Sequence, residues 1–190
     1  MNTIRGNLTE ILVSFALYWI FAGYLWFFPE LKSGPITYFI FLPAGVKLFA
    51  ILIFRWRGAV GTGLAIFSRL MLTDSDQPWV SWLIVAVTVT ITLYLVVELG
   101  LRIFKVENDL SNLSYFQIVA IATAGSIING YVFAYVVNGL DTSQMSGGLF
   151  HSGFMGVIGN FAGNAIFVCV AVVIVRQQKR IKQFIAHLNR

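Results

Sequence analysis

The chain has 190 residues, 58% of them hydrophobic and only 11% charged, less than half the roughly 25% charged share of soluble domains. With so little polar surface it cannot cover its apolar side chains in water. That excludes a disordered segment, a disulfide-stapled secreted domain and a cytosolic enzyme, and makes the lipid bilayer its main solvent. The formal net charge is +5, and the single Cys169 has no partner for an internal disulfide.

A membrane-crossing helix needs about 20 apolar residues, or about 30 Å at 1.5 Å per residue. Six stretches answer that description in chain order. The first, 8–28, is preceded by Arg5 and ends at Pro29; no small-x-small site closes it, so it reads as an uncleaved helix and not a signal peptide. The second, 36–54, lies between Pro35 and Arg55, and the third, 58–72, is the shortest and carries Arg69. The fourth, 79–97, opens after Pro78; the fifth covers about 113–137 and the sixth about 154–175. Residues 176–190 place Ile181, Phe184, Ile185 and Leu188 on one helical face among Arg, Lys and Gln. This is the pattern of a basic amphipathic interfacial helix that rests on anionic inner-leaflet lipid or docks a partner protein. The expected fold is all-α: a polytopic bundle of six transmembrane helices over 1–175, with 176–190 as a cytoplasmic tail.

Charge sets the orientation. With the N-terminus cytoplasmic, the inner side collects Arg5, Arg55, Arg57, Arg102, Lys105, Arg176, Lys179, Arg180, Lys182 and Arg190. The outer loops hold only Lys32, beside Glu30, Asp74, Asp76 and Asp141. Lys and Arg concentrate on cytoplasmic loops, so this asymmetry predicts six crossings with both termini inside. A re-entrant third segment would instead put Arg102, Lys105 and the tail outside. Trp26 and Trp79 fall near the outer boundary and Trp56 at the inner one, where indole rings concentrate. Because the cations rim the inner face, they read as topology and lipid signals and not as a nucleic-acid groove.

Two cations interrupt the apolar runs. Lys47 lies 11 residues into the 19-residue second span, with Arg69 at similar depth in the third. Insertion of such a residue at mid-bilayer costs roughly 2.5–3.5 kcal/mol, so both should face the bundle interior and meet a neutralising partner. That partner is either a carboxylate, with Glu10 and Glu98 the only candidates in or beside a span, or an anionic ligand or hydrated cavity. Pro43 and Gly45, mid-span and with Pro43 one turn before Lys47, predict a kink or break that serves as a hinge. On the sixth span Gly153, Gly156, Gly159 and Gly163 fall with Asn160 and Asn164 within about 140° of one face, at 100° per residue. Gly156, Gly159 and Gly163 read as close-packing sites, whereas the amides need hydrogen-bond partners. Gly58, Gly61, Thr62, Ala65 and Arg69 share a face on the third span; Thr123, Ser126 and Gly130 share one on the fifth, with Asn129 to one side. Together these faces predict a pocket in the outer half of the membrane with Lys47, Arg69, Asn129, Asn160 and Asn164 as ligand-binding residues.

Marks of catalysis are missing: the chain has no GxSxG, HExxH, CxxC or GxxxxGK[ST], and His151 and His187 fall on opposite sides of the membrane. Asp74-Ser75-Asp76 offers only two carboxylates, a poor cation site. The expectation is a non-catalytic module that needs no metal or cofactor and binds a small anionic or polar ligand, a membrane partner protein or a second copy of itself.

Phe41-Leu42-Pro43-Ala44-Gly45-Val46, then Phe54-Arg55-Trp56-Arg57-Gly58 with Gly61 and Gly63, resembles the aromatic-x-Pro-x-Gly span and following small-residue helix of bacterial membrane-associated sensor (MASE-type) domains. Gly159-Asn160-Phe161-Ala162-Gly163 resembles that family's Gly-Asp-x-x-Gly helix, with Asn in place of Asp. The resemblance implies a signalling module of the bacterial inner membrane, ordinarily followed by a kinase or cyclase. The architecture is also similar to the substrate-binding subunits of energy-coupling factor transporters, which would make the chain a substrate-capturing component. A structural subunit of a larger membrane complex is the third expectation.

Overall fold

The computed structural model describes residues 2–34, 36–73, 77–140 and 148–188, with backbone alone for 2–5, 171 and 174–188. It is all-helical, 84% helix, in the order α1 Asn2–Phe27, a 3-10 turn Pro29–Leu31, α2 Leu42–Phe54, α3 Trp56–Thr73, α4 Trp79–Ile103, α5 Tyr115–Gly139 and α6 Gly148–Leu188. Four segments, Gly6–Phe27, Trp79–Ile103, Tyr115–Gly139 and Gly148–Val170, are long and apolar enough to cross a membrane, as in a multi-pass membrane protein. Helix α4 is apolar on every side. Trp82, Val85, Val89, Leu93 and Val97 are buried, while Leu83, Val87, Ile91, Leu95 and Leu99 form an exposed row. A helix hydrophobic all round belongs to a membrane or a large core.

The second span differs from its expected form. Helix α2 begins at Leu42, so Pro43 occupies its first turn and residues 36–41 lie outside the helix. Proline's missing N–H costs nothing in a first turn, where that donor has no intrahelical partner anyway. Residues 31–34 pair with residues 37–39: Ser33 N–H donates to Thr37 O at 3.0 Å and Phe39 N–H to Leu31 O at 2.9 Å. Of the kink or break expected around Pro43, the structure shows the break: the span is non-helical up to Phe41 and helical from Leu42. Only 13 residues long, α2 covers about 20 Å at 1.5 Å per residue. One residue, Arg55 at φ 55°, separates it from α3. The close return requires Gly58, where a Cβ would strike the Ala50 carbonyl. Helix α6 continues without a break through Leu188, so the tail expected to be helical from 176 is continuous with the sixth span.

Neighbouring helices alternate in direction. Glu10 meets Arg57, Gly61 faces Ile11 and Ser14, and Trp19 bonds Ser68, so α1 and α3 run parallel. Gly45 lies against Phe167 and Gly163 against Phe41, which makes α2 and α6 parallel too. Gly130 against Val157 and Ser126 against Asn164 make α5 antiparallel to α6. The core forms two clusters. One, around Tyr18, Ile66, Trp82 and Val89, surrounds the cavity described below. The other, around Leu48, Ile51, Val97 and Ile121, fills the end where α2 turns into α3.

Candidate functional site: a cationic cavity inside the bundle

Starting α2 at Leu42 places Lys47 in its second turn, pointing into the bundle with 4% of its surface exposed; Arg69, from the middle of α3, is 7% exposed. Both line one cavity of about 50 Å3 to which all six helices and the 36–41 segment contribute. Asn129 from α5 and Asn160 from α6 line the same space, so four of the five expected ligand-binding residues come together. The polar groups there are amides, hydroxyls and the two cations; among the described residues no carboxylate lines it.

The expected carboxylate partners are committed elsewhere. Arg57 donates to Glu10 at 2.8 Å and Arg55 to Glu98 at 3.5 Å, both at the α2–α3 junction. Pairing of Lys47 or Arg69 with Glu10 or Glu98 is thereby corrected: neither acid lines the cavity, and each is paired with another arginine. What the cations meet instead is aromatic and neutral. Arg69 Nε donates to the Tyr18 hydroxyl at 3.1 Å. The Phe41 ring centre lies 5.1 Å from Arg69 Cζ and 5.5 Å from Lys47 Nζ, and Tyr38 lies 6.0 Å from Arg69 Cζ. The Asn129 amide satisfies its neighbours in one orientation, with Lys47 Nζ donating to its oxygen at 3.2 Å and its nitrogen donating to Val89 O at 3.1 Å. Each cation thus has a neutral hydrogen-bond acceptor and an aromatic face, but no negative charge among the described residues.

Asn164, the fifth expected residue, does not line the cavity. It points at α5, donating to Ser126 Oγ at 2.9 Å and to Ala122 O at 3.4 Å, so its expected ligand contact is corrected to a helix–helix bond. Gly156 packs against Gly130 of α5, whereas Gly159 and Gly163 abut the carbonyls of Tyr38 and Phe41. Their small surface seats the non-helical segment on α6, and Phe41 N–H donates to Gly159 O at 3.0 Å. This backbone bond satisfies one peptide group of a non-helical stretch inside the bundle, where an unpaired group costs several kcal/mol. Gly45 is likewise a contact position, its missing side chain occupied by Phe167.

Sequence reasoning missed Tyr18, Tyr38 and Phe41. Tyr18 left a signal: a hydroxyl in the middle of an apolar helix needs a buried partner. Phe41 and Tyr38 left none, because their position depends on 36–41 not being helical. The Asp74-Ser75-Asp76 and Asp141 positions and the side chains of the basic tail, His187 included, lie outside the described residues. A second hollow of about 320 Å3 between α3 and α4 is walled almost entirely by carbon and offers a polar ligand nothing but Thr90. No family model, no curated protein and no solved structure matches the chain.

Proposed function

We propose that this protein is a non-catalytic, six-crossing membrane module that captures a small inorganic anion between Lys47 and Arg69. The observation that carries the reading is the enclosure of two cations in one cavity that no carboxylate among the described residues lines. Two like charges held out of water repel, and the rings and amides around them supply partial negative charge but no counter-ion. An anion between them would remove that imbalance. At 10–15 Å3 for each water-sized sphere, about 50 Å3 holds roughly three to five. That suits chloride, nitrate or a comparable oxyanion, and it weighs against a vitamin-sized substrate, for which pockets run about 300–1,000 Å3.

The alternating helix directions support six crossings, and the positive-inside bias supports cytoplasmic termini. Sensing is favoured over a purely structural role by one connection: α6 carries Asn160 in the cavity wall and continues unbroken to Leu188. Occupancy can therefore bias the position of the tail and of whatever anionic lipid or partner protein it meets. The anion has this effect only if it binds one arrangement more tightly than another.

Thermal unfolding of the purified protein tests the reading, in sodium nitrate or chloride against sodium gluconate at constant ionic strength. A ligand at 100 times its Kd stabilises by about 2.7 kcal/mol, which for a chain of this size raises Tm by about 5–10 °C. Lys47→Met should abolish the increment. Equal Tm in all three salts would overturn the proposal.

A further inference from the structure

A third hollow lies at the Pro29 end of α1, about 310 Å3 in volume, walled by Trp26, Lys32, Tyr38, Arg69 and Thr73 among others. Tyr38 and Arg69 line both this space and the inner cavity, so these two side chains form the wall between them. We propose that the outer hollow is an anion-recruitment site, arranged in series with the inner one and sharing Arg69 with it. The inference rests on the inner cavity being an anion site and adds where the anion comes from.

Three observations carry it. First, Lys32 stands in the outer hollow, so Lys32, Arg69 and Lys47 form a succession of cations from the mouth inward. Glu30 is exposed and does not line the hollow. Cationic clefts with low-dielectric walls concentrate anions and speed their entry. Second, the segment bearing Lys32 and Tyr38 is a built element. The two residues form a β-bridge, Ser33 Oγ bonds Thr37 Oγ1 at 3.1 Å, and the Tyr38 ring stacks on Phe41 at 5.9 Å. The backbone of Lys32 is thus fixed beside the outer hollow, and the Tyr38 ring is fixed between the two cavities. Third, Tyr38 is only 6% exposed although it borders a hollow of about 310 Å3, as a ring buried between two cavities would be.

Trp26 in the outer wall supplies a local reporter. Iodide titration of the full chain in lipid-free zwitterionic detergent, at constant ionic strength with gluconate, should give quenching that saturates. That saturable component should vanish in Trp26→Phe. Its apparent affinity should fall about threefold in Lys32→Gln and at least tenfold in Lys32→Glu. Linear quenching that is insensitive to both Lys32 substitutions would overturn the outer site. Saturation that appears only after anionic phospholipid is stripped away would overturn it in favour of a headgroup. Failure of the inner site registers separately, as a wild-type protein that nitrate does not stabilise. Saturable, Lys32-dependent quenching in such a protein would overturn the serial arrangement and leave an isolated surface site.

Discussion

Phe41 lies within cation–π distance of both buried cations, 5.1 Å from one and 5.5 Å from the other. A desolvated cation–π contact is worth about 2 kcal/mol, comparable to the roughly 2.5–3.5 kcal/mol that a mid-bilayer cation costs on insertion scales. The ring therefore offsets much of the penalty without neutralising the charge. Phe41→Leu keeps most of the volume and removes the quadrupole. It should destabilise the anion-free protein by about 1–3 kcal/mol, measured as a fall in Tm in gluconate, with a smaller loss in nitrate, where the ion takes over the ring's role. An equal loss in both salts would mean that only packing was removed. At this scale Lys47 and Arg69 were legible because a charge in an apolar run is conspicuous. Tyr18, Tyr38 and Phe41 were not, because aromatic residues in a membrane span are ordinary until their neighbours are known.

Helix α2 shows how an element can be half legible. Its apolar run was plain, but composition alone does not distinguish a 19-residue helix from an extended stretch followed by 13 helical residues. Pro43 allows both, and the second arrangement is stabilised by a long-range bond, Phe41 N–H to Gly159 O. Gly45→Ala would drive a methyl into Phe167, an overpacking that costs about 1–3 kcal/mol. Phe167→Leu should recover part of that loss in the double variant, a coupling of about 0.5 kcal/mol or more. Additive losses in denaturation would sink this account of the α2–α6 contact. The α4–α5 connection outside the bundle gives a pH prediction. The Ser111 backbone N–H, 3.0 Å from Asp109 Oδ1, holds that carboxyl below the usual aspartate value of 3.8. A depressed carboxylate favours the folded loop above the ordinary value and loses that contribution as pH falls through its own lower one. Hydrogen exchange at Ser111, corrected for intrinsic rate, should lose protection only below about pH 4 and keep it in Asp109→Asn less well than in wild type at neutral pH.

For the whole molecule, alternating helix directions and one-sided charge together specify which ends lie together. Arg55 and Arg57 with Glu98 and Glu10 gather at one end, and Lys32 lies at the other. In cells carrying a Cys169→Ser background, a cysteine at Lys32 should react with an impermeant maleimide from outside. A cysteine at Lys105 should react only after permeabilisation; the reverse pattern would invert the topology, and labelling of both from outside would remove the six-crossing reading. By itself the sequence determined an all-helical chain dissolved in lipid, with two cations buried among small and amide-bearing faces, because hydropathy and the cost of isolated charge act on each residue wherever it lies. The tertiary structure alone decided that Glu10 and Glu98 serve Arg57 and Arg55, that Asn164 ties two helices together, and that a non-helical segment seated on Gly159 and Gly163 brings two aromatic rings to the buried cations. Those outcomes depend on which groups end up adjacent, and adjacency across 40 to 120 residues leaves no trace in local periodicity.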